Sequence, residues 1–273
     1  MGTSGRVDET SGRTDETSGR ANEVGRQASE AGRRAGATAR RARVLRRLRP
    51  VALAAVPLSM LACAALGVEA TAGLTLVVCV LAVGLLLAAF DASRPAARQL
   101  MPTVTLGAVA AAGRILFSAV PDVKPVSAIA IVAGATLGRG SGFVVGALAA
   151  LLSNAFFGQG AWTPWQMYAW GLVGYLGGVL ADAGAFRRQW ALYLYGFASC
   201  LLYGLILNGW YVVGFVRPLT WEGTLAAYAA GIPLDVVHGL ATVAFLAAIW
   251  APWGRAIRRV VARYGLSTGE ARW

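Results

Sequence analysis

The chain has 273 residues, 57% of them hydrophobic and only 14% charged, with a formal net charge of +12 and a mean hydropathy of +0.58. That profile excludes an ordinary soluble domain and points to an all-α, polytopic transmembrane helix bundle. It also argues against nucleic acid as the partner of the positive charge, because the arginines crowd into the first 49 residues and into short turns between apolar runs, a pattern suited to the anionic inner surface of a lipid bilayer.

The N-terminal stretch repeats TSGRVDE, TSGRTDE and TSGRANE with a period of seven, but the repeat carries no apolar a/d seam and so gives no coiled coil. With little to bury, residues 1–49 are expected to form a disordered, basic cytoplasmic tail. From Arg33 the chain becomes RRAGATARRARVLRRLRP, a basic flank rather than a signal peptide, since hydrophobic spans continue to the end.

Eight apolar segments follow, at about 51–68, 72–90, 102–119, 126–138, 142–157, 165–181, 190–214 and 222–250. With the N-terminus inside, the inner connections are DASRPAARQ, the turns holding Arg139 and Arg187–Arg188, and the basic tail RAIRRVVAR, within a C-terminal tail of residues 254–273. The outer connections are VEATAG, PDVKP, FGQGAWT and VRPLTWE. Arginine at every inner turn satisfies the positive-inside rule and predicts a multi-pass cell-membrane protein with both termini cytoplasmic. Cys63, Cys79 and Cys200 lie within apolar runs and form no C-x-x-C, so they read as small buried hydrophobes.

The fourth segment would span only about 20 Å as a helix, against a hydrocarbon core of about 30 Å. Its inner end is tied to Arg139, so its outer end is expected to stop short and leave a recess facing outside. The fifth segment then breaks at Asn154 into SNAFFGQGAWTPWQMYAW, which carries no charge but is rich in amide and indole. Irregular backbone at that depth requires protein or a water-filled cavity around it. Thr163 is suited to cap a helix and Pro164 to start one, which sets Gln166 and Trp170 four apart on one face. Asn154, Gln159, Trp162, Trp165, Gln166 and Trp170 are therefore candidate pocket residues. The competing reading makes the tryptophans interfacial belt residues and the glutamines solvated. An uncharged lid of this kind argues for a large, flat or amphipathic ligand over a small anion.

Polar groups inside the apolar runs are the other candidates. Arg114 lies in the third segment, Asn208 in the seventh, and Asp235 and His238 on one face of the eighth. Asp235 could orient His238 or pair with Arg114, and either ligand contact or internal pairing accounts for the group. One histidine and one carboxylate are too few for a metal site, so no metal and no cofactor is expected. A hydrolase using Ser141 with His238 is disfavoured by the missing G-x-S-x-G elbow and by the separation in depth. The absence of a Walker A string removes ATP hydrolysis by the P-loop route. No catalytic residue is assigned.

The stretch AAAGRILFSAVPDVKPVSAIAIVAGATLGRGSGFVVGALAALLSNAFFGQGAWTPWQMYAWGLVGYLGG resembles the substrate-specific S components of energy-coupling factor (ECF) vitamin transporters, with GQGAWTPWQM looking most like the cobalamin-type branch. The resemblance covers about residues 101–250. It implies a six-helix core over 101–253, an extra N-terminal hairpin over 50–92, and a vitamin-like substrate in an outward-facing cavity. The implied partners are a coupling transmembrane subunit and two cytoplasmic ATPases. Small residues on the first core helix, Gly107, Ala108, Ala111 and Ala112, would then meet the coupling subunit, although internal packing accounts for them equally. The same spacing recurs at Gly134–Gly138, Gly142–Gly146 and Gly174–Gly178. A ligand-free packing subunit is the alternative from a different class.

Overall fold

The computed structural model describes residues 8–66, 71–91 and 97–264, and among these the chain is all-helical. Helix α1 runs Asp8–Leu66, α2 Thr71–Asp91, α3 Ala97–Leu116, α4 Val126–Leu137, α5 Arg139–Phe157, α6 Thr163–Asp182, α7 Gln189–Phe215 and α8 Trp221–Tyr264. Each apolar run of the sequence falls on one of these helices. Four stretches, Gly73–Asp91, Arg139–Phe157, Gln189–Phe215 and Trp221–Val260, are long and apolar enough to cross a membrane. The apolar parts of α3 and α4 are shorter.

At the N-terminal end the structure differs from the sequence reading. The tail predicted to lack structure is helical from Asp8 onward; residues 1–7 lie outside the described set. Disorder was inferred from the lack of apolar surface, but helical hydrogen bonds are local, and the Ala, Arg and Glu between the glycines are favourable helix formers. Packing divides the chain into one unit ending at Arg47 and a second beginning at Leu48. At the other end α8 continues to Tyr264 through Pro233 and Pro252, so the first part of the predicted C-terminal tail extends the last helix. The remainder lies outside the described residues.

Within the second unit α4 is the central element, packed against α3, α5, α6, α7 and α8. Every residue of α4 except Thr136 is buried. Twelve residues give about 18 Å of helix, so α4 is the short element the sequence called for. Close backbone contact holds it in place. A Cβ on Gly134 would collide with the Gly174 carbonyl, one on Gly142 with both Gly174 and the Gly134 Cα, and one on Gly146 with the Trp170 carbonyl. The recurring small-residue spacing thus serves a three-helix contact among α4, α5 and α6, where close backbone approach multiplies dispersion contacts.

The ends of α3 and α5 meet where Arg114 bonds Ser153 and Asn154, which brings two connections together: residues 117–125 between α3 and α4, and residues 158–162 between α5 and α6. Both turn on backbone in the left-handed region, Asp122 at φ 57° and Gly158 at φ 101°; Asp tolerates that region and Gly adopts it without a Cβ penalty. At the opposite end Gly138 alone separates α4 from α5. There the Arg139 guanidinium donates to the Asp182 carboxylate at 2.5 Å, tying α5 to the end of α6. The apolar end of α1 joins the bundle through the Tyr168 hydroxyl, which donates to the Leu53 carbonyl.

Candidate functional site

Asn154 is the hub of the α5–α6 connection. It is fully buried, and its side-chain oxygen accepts a hydrogen bond from Arg114 at 2.6 Å. Its amide donates to Thr163 Oγ1 at 3.0 Å and to Gln166 Oε1 at 2.8 Å. Arg114 also donates to Ser153 Oγ at 2.6 Å. Thr163 is not the N-cap expected for α6, a position taken by Trp162. Its hydroxyl instead donates to Gln159 Oε1 at 2.9 Å, while the Gln159 amide reaches the Leu151 carbonyl at 2.9 Å. The amide-rich, uncharged composition of this stretch has a local cause: Asn154, Gln159, Thr163 and Gln166 satisfy one another's polar atoms, with Arg114 and the Leu151 carbonyl completing the set.

Above the hub lie two cations and two stacked rings. The Arg114 guanidinium is 4.8 Å from the Phe157 ring centroid and 5.0 Å from that of Trp170. The Lys124 ammonium lies 5.7 Å from the Trp170 centroid and 5.8 Å from that of Tyr203, and it forms an ion pair with Asp122. Trp170 and Tyr203 stack at 4.7 Å and 27°. Cations over indole and phenol faces are attracted by the ring quadrupole, more strongly where water is scarce. Tyr203 in turn meets His238 edge-on at 5.3 Å, and His238 Nε2 is 3.1 Å from Ser127 Oγ.

A cavity of about 160 Å³ opens beside this cluster, lined by residues that include Arg114, Phe117, Val120, Asp122, Lys124 and Phe157. It lies at the end of the bundle where α4 begins. Its walls are the 117–125 connection and the last residue of α5, while Gln159 and Trp162 are absent from its lining. Gln159 is exposed and Trp162 is 38% exposed.

The other predicted site residues distribute as follows. Gln166 and Trp170 share a face as expected, one bonded to Asn154 and the other beneath Arg114. Trp165 and Trp170 are fully buried, and neither indole N–H has an acceptor among the described residues. Asp235 and His238 do not join each other: Asp235 accepts a hydrogen bond from Asn208 at 3.4 Å, while His238 meets Ser127. Arg114 takes Ser153 and Asn154 as partners instead of Asp235. Ser141 is buried with no partner for its hydroxyl among the described residues. On α3, Gly107 and Ala111 face inward and Ala108 and Ala112 outward, with Gly107 directly against Leu148. Among the described residues no three His, Cys, Asp or Glu side chains are grouped to hold a metal ion.

Lys124, Asp122, Phe157 and Tyr203 were not singled out from the sequence. The signal for the first two is PDVKP: two charges between two prolines beside an apolar run. Its second proline folds back onto α3, where a Cβ on Gly113 would collide with the Pro125 ring.

Residues 94–260 match the Family of unknown function (DUF6580). The chain belongs to that family. Comparison with curated proteins and with solved structures found no match. The DUF6580 region begins after α2, so it contains the Asn154 hub, both cations and the cavity, and leaves α1 and α2 outside.

Proposed function

We propose that this DUF6580 protein is the membrane substrate-binding (S) component of an ECF-type ABC importer. In this reading it is a multi-pass protein of the cell membrane with both termini in the cytoplasm. It takes a vitamin or related micronutrient from the outer face and delivers it to a coupling transmembrane subunit driven by two ATPases. The observation that supports it is the cavity at the head of the short helix α4, floored by Arg114 and Lys124 over the Trp170–Tyr203 stack. Concave sites with a few convergent polar groups and aromatic walls are what small-molecule recognition requires. The glycine-packed α4–α5–α6 core beneath supplies a rigid base, which limits the entropy lost on binding. The chain itself performs no chemistry in this account; ATP hydrolysis belongs to the partners.

The test is co-expression of the full chain with an ECF coupling subunit and its ATPases, followed by purification and native mass spectrometry. A stable complex and a small molecule carried on the free chain are the expected result. A chain that carries no ligand and does not assemble is a packing subunit, and the proposal fails.

A further inference from the structure

The cavity holds an imbalance of charge and of hydrogen-bond donors. Of its lining residues, Arg114 and Lys124 are positive and Asp122 alone is negative. Asp122 is committed to Lys124. Arg114 has no carboxylate within ion-pair distance among the described residues: its Nη1 is spent on Ser153 and Asn154, both neutral. A guanidinium carries five N–H donors, so its Nε and Nη2 donors have no described acceptor. The buried indole N–H of Trp170, the ring under both cations, also lacks one. Asp122 acts on Arg114 only through space, without a direct ion pair, and a half-buried charge so weakly compensated is costly unless something further neutralises it.

The walls differ in kind. Phe117, Val120 and Phe157 present apolar surface, and Phe117 is braced edge-on by Phe245 at 5.2 Å. The volume of about 160 Å³ is below the roughly 300–1,000 Å³ of sites that enclose a whole drug-sized ligand.

We propose that the cavity receives the anionic head, a carboxylate or phosphate, of a soluble ligand, with Arg114 as its counter-ion and Phe117 and Phe157 flanking an apolar body that projects outward. The single excess positive charge of the lining fits one negative charge. Tyr203 stacks on Trp170, Arg114 lies over the same ring, and Trp170 is not among the lining residues, so it holds the cation and does not stack on the ligand. This inference rests on the proposed function for its biological setting, but the anion site stands or falls separately. It also revises the expectation that the pocket disfavours a small anion, which was drawn from the uncharged stretch 153–170; of that stretch only Phe157 enters the lining.

The test uses the full chain in lipid-free detergent, titrated with benzoate, with its neutral isostere benzamide and with inorganic phosphate, and read by thermal shift. Benzoate and phosphate should stabilise the protein and benzamide should not. Arg114→Gln should weaken the benzoate response at least tenfold, as expected for loss of a charge-assisted hydrogen bond, while Arg114→Lys retains part of it. Lys124→Gln, at a connection outside the hub, serves if Arg114→Gln fails to fold. Equal effects of benzoate and benzamide, no effect of either anion, or an unchanged response in both neutralised variants overturns the proposal. A benzoate response that persists in phosphatidylcholine nanodiscs and disappears in phosphatidylglycerol ones overturns the soluble-ligand assignment in favour of a lipid head. An anion response in a chain that never assembles with a coupling subunit leaves the site standing and removes the importer; assembly without an anion response does the reverse.

Discussion

Asn154 carries more of the site than any other residue, because one amide satisfies Arg114, Thr163 and Gln166 together. Replacing it by leucine keeps the branched outline and the number of heavy atoms, at a larger volume, and removes every bond. Each polar group left buried without a partner costs about 1–3 kcal/mol, so Asn154→Leu should lower the melting temperature in detergent by several degrees or more. Trp162→Ala is the contrast: the ring is 38% exposed, and its removal should shift the melting temperature little. Equal melting of Asn154→Leu and the parent would show that the hub is dispensable. Trp170 cannot be probed by alanine in the same way, since deleting a fully buried ring costs about 3–5 kcal/mol in packing alone. A binding defect in Trp170→Ala would therefore report folding as much as recognition.

Helix packing gives sharper predictions, because glycine substitutions separate local propensity from tertiary fit. Alanine is favoured over glycine by about 1 kcal/mol inside a helix. At Gly214 an added Cβ meets nothing within 4 Å, so Gly214→Ala should be neutral or stabilising. At Gly146 the same methyl drives into the backbone of α6 at Trp170, and overpacking costing about 1–3 kcal/mol should outweigh the gain. Thermal unfolding followed by circular dichroism should give opposite signs for the two variants; the same sign would remove the close α5–α6 contact. Helix α3 offers a parallel separation for assembly. Ala108→Leu points outward and should leave folding intact while blocking association with a coupling subunit. Gly107→Leu points at Leu148 and should destabilise the chain itself. Normal assembly of Ala108→Leu would exclude this face of α3 as the contact.

Across the whole molecule, the proposed orientation is testable without any ligand. In a background lacking the native thiols, a cysteine at Val123 should react with an impermeant reagent applied to intact cells, and one at the exposed position Arg139 should not. The two positions lie at opposite ends of α4, so the labels must differ if α4 stands across the bundle. Reaction at Arg139 alone would invert the topology and place the cavity on the cytoplasmic side, which an importer's capture site cannot occupy.

Several features followed from the sequence because their causes are local. Apolar runs bounded by charged or glycine-containing turns specified where helices form. The shortness of α4 was plain from two adjacent breaks, and Gln166 and Trp170 had to share a face once a helix began near Pro164. What required the tertiary structure was the partner of each buried group. Arg114 finds Ser153 and Asn154 some 40 positions away, and Lys124 reaches Tyr203 across the bundle. Asp235 and His238, neighbours on one helix face, end with different partners. Helical periodicity defines which residues share a face but not what that face meets. The meeting is decided by how closely neighbouring helices approach, and here the glycine contacts among α4, α5 and α6 set that approach. The turn richest in tryptophan and amide reads in the sequence as a pocket wall; in the structure Asn154, Gln159, Thr163 and Gln166 bond to one another there, and of the stretch only Phe157 lines the cavity. The cavity formed beside it, under the plainer sequence PDVKP.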